Sequence, residues 1–281
     1  MQSDNFLDAT LIVLGHGTEL NAGSALPVNQ HVAELRRRGL FAGVQPAFWK
    51  QEPQVTAVLA GVTTRRAFIV PLFISEGYFS ANVIPRALGF DYPNRLKLVQ
   101  NDSAVVYGRP VGSHESMTQV ILARAAAVVA QFPFPRAAKP QEITLYIAGH
   151  GTGRNPESRK SVERQVEIIR ALNQYAAVHA VFMEETPRIE ECYGLSATRN
   201  IVVVPFFISD GLHTVEDIPV LLGEAPALVK ERIAAGQPAW RNPTGMKGKL
   251  VWYASAVGTE PLMAEVILER VREAAGYGSA E

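Results

Sequence analysis

A single cysteine, Cys192, stands in 281 residues. One thiol closes no internal disulfide and cannot supply an iron–sulfur cluster or a cysteine-rich zinc site, so any metal chemistry falls to histidine and carboxylate. A surplus charge of one sign is lacking as well. Lys plus Arg and Asp plus Glu both total 27, which excludes the polybasic balance of a general nucleic-acid binder or a membrane-surface protein. Long apolar runs are also missing, since the strongest, 201–208 and 125–130, fall far short of the roughly 20 residues that a membrane-spanning helix needs. Residues 1–10 hold two Asp, no basic residue and no apolar stretch of signal-peptide length, so the expected location is the cytoplasm. What is present, 47% hydrophobic and 19% charged residues, is the composition of a folded globular chain with room for about two domains.

The chain repeats itself. Leu14-Gly-His-Gly-Thr18 recurs as Ala148-Gly-His-Gly-Thr152, and Val70-Pro-Leu-Phe-Ile-Ser-Glu-Gly77 recurs as Val204-Pro-Phe-Phe-Ile-Ser-Asp-Gly211, both at a spacing of 134 residues. The same spacing pairs Asn21 with Asn155, Phe48 with Phe182, Pro53 with Pro187 and Gly89 with Gly223. Val111-Gly-Ser then matches Val257-Gly-Thr at a spacing of 146, so the second copy carries about 12 extra residues between Gly223 and Val251. Internal duplication accounts for this register. The insertion, with a predicted helix over 227–235, is expected to decorate the surface, the alternative being that it flanks the cleft.

Each copy alternates short β-branched runs with helical stretches, a pattern that predicts βα units around a parallel sheet. The runs are 11–14, 44–49, 67–73 and 104–107, with counterparts 144–148, 178–183, 201–207 and 250–253. All are apolar on both faces, as strands covered by helices on two sides read. Helices are predicted over 26–38, 53–62 and 116–130, then 159–174, 187–195 and 261–275, with Pro53, Pro187 and Pro261 in first turns. The proline-rich 132–141 reads as the linker. Two domains follow, 1–138 with a degenerate site and 139–281 with the working one.

Ligands of an open parallel sheet bind beyond the carboxyl ends of its strands. There the second copy places His150, Glu184 and His213, two imidazoles and a carboxylate that suit a divalent first-row metal with open positions. Glu185, Glu216 and Asp217 lie close by, and strand alternation leaves Glu184 and Glu185 as alternatives. The first copy keeps His16 opposite His150, but sets Lys50 opposite Glu184 and Phe79 opposite His213. One working site, in the second copy, is therefore expected, with His16 a structural relic. The glycine-rich turn 149–155, followed by Arg159, Lys160 and Arg164, offers amides and cations to an anion. The interleaved Glu157, Glu163 and Glu167 equally fit a solvated helix face. No Gly-Lys-Ser/Thr phosphate loop, GxGxxG spacing or Gly-x-Ser-x-Gly elbow is present.

Gly149-His-Gly-Thr with Arg154-Asn-Pro156, Phe182-Met-Glu184, Val204-Pro-Phe-Phe-Ile-Ser-Asp-Gly-Leu-His213 with Asp217-Ile-Pro219, and Val257-Gly-Thr-Glu-Pro261 together resemble the sirohydrochlorin chelatase family, ATP-independent chelatases related to ferrochelatase. The resemblance spans both copies. It implies an α/β fold of two tandem flavodoxin-like, chelatase-like domains with a cleft between them, and a monomer that acts as an internal pseudo-dimer. It also implies insertion of Co²⁺ or Fe²⁺ into sirohydrochlorin, a macrocycle with eight carboxylates, for cobalamin or siroheme synthesis. His150, Glu184 and His213 would then be the catalytic and metal-handling residues, and Arg154, Arg159, Lys160, Thr152 and Asn155 the substrate-binding ones. No tightly bound cofactor is implied, the metal being a substrate. Asn155 and Thr152 depart from the family's usual Asp and Ser. The same trio would also serve a non-catalytic metal or tetrapyrrole carrier, or a metal-assisted hydrolase.

Overall fold

A computed structural model describes residues 6–18, 22–153 and 156–276. The aliphatic runs become the central strands. In the first sheet β1 (Phe6–Gly15), β2 (Phe41–Phe48), β3 (Arg66–Pro71) and β5 (Ser103–Tyr107) are parallel, and β4 (Lys97–Gln100) joins β5 antiparallel, in the order β2-β1-β3-β5-β4. The second sheet repeats this order as β7-β6-β8-β10-β9, from β6 (Ile143–Gly149), β7 (Ala177–Phe182), β8 (Asn200–Pro205), β9 (Thr244–Met246) and β10 (Lys249–Tyr253). Leu11, Ile12, Val13 and Leu14 are consecutive yet all fully buried, as are Leu145, Tyr146, Ile147 and Ala148. Both faces of each sheet are thus covered, and each such aliphatic side chain contributes about 1.5–3 kcal/mol by leaving water.

The edge strands β4 and β9 lie outside the predicted runs. They are too short and too polar for a β-branched pattern, and they form because a tight reversal brings them against β5 and β10. The helices are α1 (Leu26–Arg38), α2 (Val55–Ala60), α3 (Ile84–Ala87), α4 (Met117–Gln131), α5 (Pro156–Ala171), α6 (Cys192–Leu195), α7 (Ile218–Leu221), α8 (Pro226–Ala234) and α9 (Met263–Gly276). The helix predicted over 187–195 shrinks to a 3-10 turn, Ile189–Glu191, and the single turn of α6. Pro53, Pro187 and Pro261 precede their helices instead of opening them. Among the described residues, the prolines in the first turns of the α-helices are Pro27, Pro85, Pro156, Pro219 and Pro226. No described helix is long and apolar enough to cross a membrane.

The insertion is not decoration. Val229 and Trp240 are buried, Trp240 joins the core of the second sheet, and β9 extends that sheet.

The chain divides into two compact units, one formed by Met1–Ser116 with Pro261–Glu281 and the other by Met117–Glu260. These units do not coincide with the repeats, nor with a division at 138/139. Helix α4, which ends the first repeat, packs on β8, β10 and α5, whereas α9, which ends the second, packs on β3, β5 and α1. The stretch read as a linker therefore runs inside the second unit. Two equivalent arginines, Arg124 and Arg270, mark the exchange. Arg124 donates to the Ala256 carbonyl (3.1 Å) and Thr259 Oγ1 (2.6 Å), and Arg270 donates to the Pro110 carbonyl (2.7 Å) and Ser113 Oγ (2.8 Å).

Candidate active site

Backbone packing sets the positions of His150 and Glu184. Gly151 has φ +64, and a β-carbon on it would lie 2.6 Å from Phe182 Cβ, so only glycine lets this turn press against β7. The Met183 amide donates to the carbonyls of Gly149 and His150, and the Glu184 amide donates to that of His150, all at 3.1 Å. These bonds tie the end of β7 to the end of β6. Glu184 then directs its carboxylate to 3.9 Å from His150 Nδ1, while Glu185 turns away to Arg159 at 3.2 Å. The alternative left open by strand alternation is thereby resolved in geometric terms.

His213 opens a five-residue π-helical turn, His213–Asp217, after β8. Such turns are frequent at functional positions, but the first unit carries the equivalent turn, Phe79–Val83, so this one belongs to the shared scaffold. It is pinned from below. Thr214 Oγ1 donates to the Gly211 carbonyl (3.0 Å), the Tyr253 hydroxyl donates to the Thr214 carbonyl (2.7 Å), and Asp210 accepts the Ala256 amide (2.9 Å). Tyr253 is half-buried, and desolvation of its phenol raises its pKa well above the usual tyrosine value and keeps it a hydrogen donor. At Gly258 a β-carbon would stand 1.7 Å from the Ile208 carbonyl oxygen, so the loop preceding His213 and the loop after β10 touch backbone to backbone.

The rings of His150 and His213 meet edge to face, with centroids 5.0 Å apart at 81°. His213 Nδ1 lies 2.6 Å from Asp217 Oδ2. An ionised carboxylate only accepts, so the proton of this imidazole sits on Nδ1 and its Nε2 lone pair is left available. His150 Nδ1 is buried and has no hydrogen-bond partner among the described residues, an arrangement that costs free energy unless a ligand or proton visits. The two imidazoles thus present nitrogen donors, with Glu184 more than half exposed beside them. Among the described residues, no three His, Cys, Asp or Glu side chains form a ready-made metal cage.

The first unit retains the scaffold without the donors. Phe79 meets His16 edge to face at 4.7 Å and 77°, the Lys50 amide donates to the His16 carbonyl (2.8 Å), and the Tyr107 hydroxyl donates to the Ser80 carbonyl (2.8 Å). Phe79 reproduces the ring packing of His213 and omits its nitrogens. His16 Nδ1 is satisfied by the Gly17 carbonyl at 2.8 Å, a structural bond in place of an open one.

The anion-binding candidates divide. Arg159 is held by Glu163 (2.8 Å), Glu185 (3.2 Å) and the Thr186 carbonyl (2.9 Å), and lies over the Phe182 ring at 4.8 Å. Lys160 pairs with Glu157 at 2.7 Å. Thr152 is half-buried in the turn after His150, and Arg154 and Asn155 lie outside the described residues. Two contributors were less legible in the sequence. Asp217 is signalled by its four-residue spacing from His213, and Arg124 by its pairing with Arg270 at the later repeat register.

Comparison with known proteins gives the chain's family and relatives. The CbiX family model matches residues 10–128 and 144–274. A "probable sirohydrochlorin cobaltochelatase" of Halobacterium salinarum is 38% identical over 278 residues, covering 94% of this chain and 91% of that protein. Among solved structures, a multi-domain protein of Deinococcus radiodurans described as structurally similar to chelatases superposes with a TM-score of 0.76 at 27% identity, over 95% of this chain and 55% of that one. SirB from Bacillus subtilis, solved with Fe³⁺, superposes at 0.67 with 16% identity over 97% and 98% of the two chains, a likeness of fold. Because the family model takes in both repeats and the Halobacterium relative runs nearly end to end, the chain belongs to the CbiX family.

Proposed function

We propose that the chain inserts a divalent metal, Co²⁺ in preference to Fe²⁺, into sirohydrochlorin. The observation that carries this reading is the edge-to-face His150–His213 pair, in the repeat that alone has two imidazoles and a carboxylate at these strand-end positions. The name of the Halobacterium relative supports the substrate and the choice of cobalt.

The reaction replaces two pyrrole N–H protons with one divalent ion, so the macrocycle gains the metal and two protons leave. Neutral imidazole suits both tasks, since it ligates a first-row ion or accepts a proton near pH 7. In this reading His213 presents the metal through Nε2, oriented by Asp217. His150 takes up a proton at the unpartnered Nδ1, and Glu184 balances the charge. An open donor set holds the ion weakly enough to release it, which a closed cage would not. Arg154, Arg159, Lys160, Thr152 and Asn155 are assigned to the substrate's carboxylates. The pairs of Arg159 and Lys160 are surface ion pairs, and exchanging one for a substrate carboxylate costs little. We take the chain to act in the cytoplasm as a monomer, for which light scattering after gel filtration should return about 31 kDa.

Anaerobic absorbance of sirohydrochlorin with Co²⁺ or Fe²⁺ tests the reaction. The expected result is acceleration over many turnovers by wild type, faster with Co²⁺, and at least about a hundredfold loss in His213→Ala with the fold retained. A spectral change that saturates at one equivalent of protein would convert the reading to a carrier.

A further inference from the structure

The insertion that only the second repeat carries borders an open pocket of about 530 Å³ against the turn that bears His213. Phe132, Val215, Trp240 and Tyr253 wall it, and Asp210 and Thr214 bring it to the base of the π-helical turn. Most of its polar groups are already engaged. Asp210 accepts the Ala256 amide, Thr214 donates to Gly211, and Asn242 bonds the Tyr253 backbone twice, donating to its carbonyl (2.8 Å) and accepting from its amide (2.7 Å). Trp240, buried, donates from Nε1 to the Val251 carbonyl at 3.3 Å. Between these two anchors Arg241 lines the same pocket. Its side chain is exposed, and among the described residues its guanidinium makes no ion pair.

We propose that this pocket is a subsite for one carboxylate-bearing pyrrole edge of a tetrapyrrole, with Arg241 receiving the carboxylate. The inference rests on the substrate class proposed above and adds a residue to its recognition. Apolar and aromatic walls suit the flat face of a pyrrole, and a planar guanidinium matches a carboxylate in two parallel hydrogen bonds. A volume of this size takes one ring and its acid arms, leaving the rest of the macrocycle to reach the His213 side of the same turn. Trp240 and Asn242 fix the loop on both sides of Arg241, so little ordering entropy is lost on binding. The first repeat has neither the insertion nor the full trio. Recognition and chemistry thus coincide in one copy.

Two readouts test the subsite in the full chain, one without metal and one with it. Quenching of tryptophan fluorescence by metal-free sirohydrochlorin gives affinity, and Co²⁺ insertion gives KM and kcat, for wild type, Arg241→Lys, Arg241→Ala and Arg241→Glu. Arg241→Ala should weaken binding and raise KM about tenfold while kcat stays within about twofold. Arg241→Lys should fall between wild type and Arg241→Ala, and Arg241→Glu should be worst, with unchanged circular dichroism throughout. Active wild type with an unaltered KM in Arg241→Ala would overturn the subsite and leave the proposed reaction standing. Arg241-dependent binding by a wild type that inserts no metal would keep the subsite and overturn the reaction. Absence of both binding and insertion would overturn both.

Discussion

The pair His213–Asp217 shows how one carboxylate determines what an imidazole can do. With Nδ1 bonded to Asp217, the ring offers a single nitrogen in a fixed direction. Asp217→Asn preserves size but lets the amide donate to Nδ1, which favours the opposite tautomer. Insertion should drop about tenfold to a hundredfold in kcat with an unchanged thermal midpoint, and wild-type kcat in this variant would remove the orienting role. The first unit permits the reverse experiment. Phe79 and Lys50 stand where His213 and Glu184 stand, on the same turn and backbone bonds. The double variant Lys50→Glu with Phe79→His should therefore bind a second equivalent of Co²⁺ by calorimetry, whereas wild type binds one. Both substitutions were legible from register alone, because the 134-residue spacing is unbroken across them. The choice between Glu184 and Glu185 was not, since it depends on Arg159 capturing one of the two.

The helices α4 and α9 each carry an arginine, half-buried Arg124 and buried Arg270, that binds the loop after an edge-proximal strand. Burial lowers the pKa of Arg124, and Glu260 at 3.4 Å offsets that cost. Arg124→Met leaves Glu260 and the Ala256 carbonyl unpartnered, and should cost about 2–4 kcal/mol in denaturant unfolding. It should also slow insertion, because the Ala256 amide holds Asp210 in the loop before His213. On α9, burial would raise the Glu273 pKa, but hydrogen bonds from His114 and Arg270 prevail and hold it at about 2. A carboxylate depressed in the folded state stabilises fully above its unfolded value near 4.5, and that contribution fades as pH falls from there toward 2. Thermal midpoints measured from pH 6 to pH 3 should decline more steeply for wild type than for Glu273→Gln. At this scale the central strands and long helices were legible from β-branched runs and 3.6-residue periodicity. The edge strands β4 and β9 were not, because pairing with a neighbour creates them.

The compact units each draw on both repeats, and this governs how the molecule holds together. A cut at 138/139 follows the sequence repeat but separates α4 and α9 from the sheets they cover. Residues 1–138 alone should therefore be insoluble or self-associate by exchanging α4, and coexpression with 139–281 should restore a monomer-sized complex with chelatase activity. Light scattering of each piece and of the mixture checks this. An independently folded, monomeric 139–281 would contradict the exchange.

From the sequence alone came the duplication, the eight central strands, the strand-end trio and its loss from the first copy. Each is a local pattern of side-chain type, and a constant register compares the two copies directly. Only the tertiary structure decided which sheet each terminal helix covers, which carboxylate faces His150, and that the insertion lines an open pocket at the turn that bears His213. The physical reason lies in the duplication itself. Two copies with the same strand order and the same loop chemistry offer α4 and α9 equivalent surfaces, so local periodicity is indifferent to the choice, and packing between residues far apart in the chain makes it.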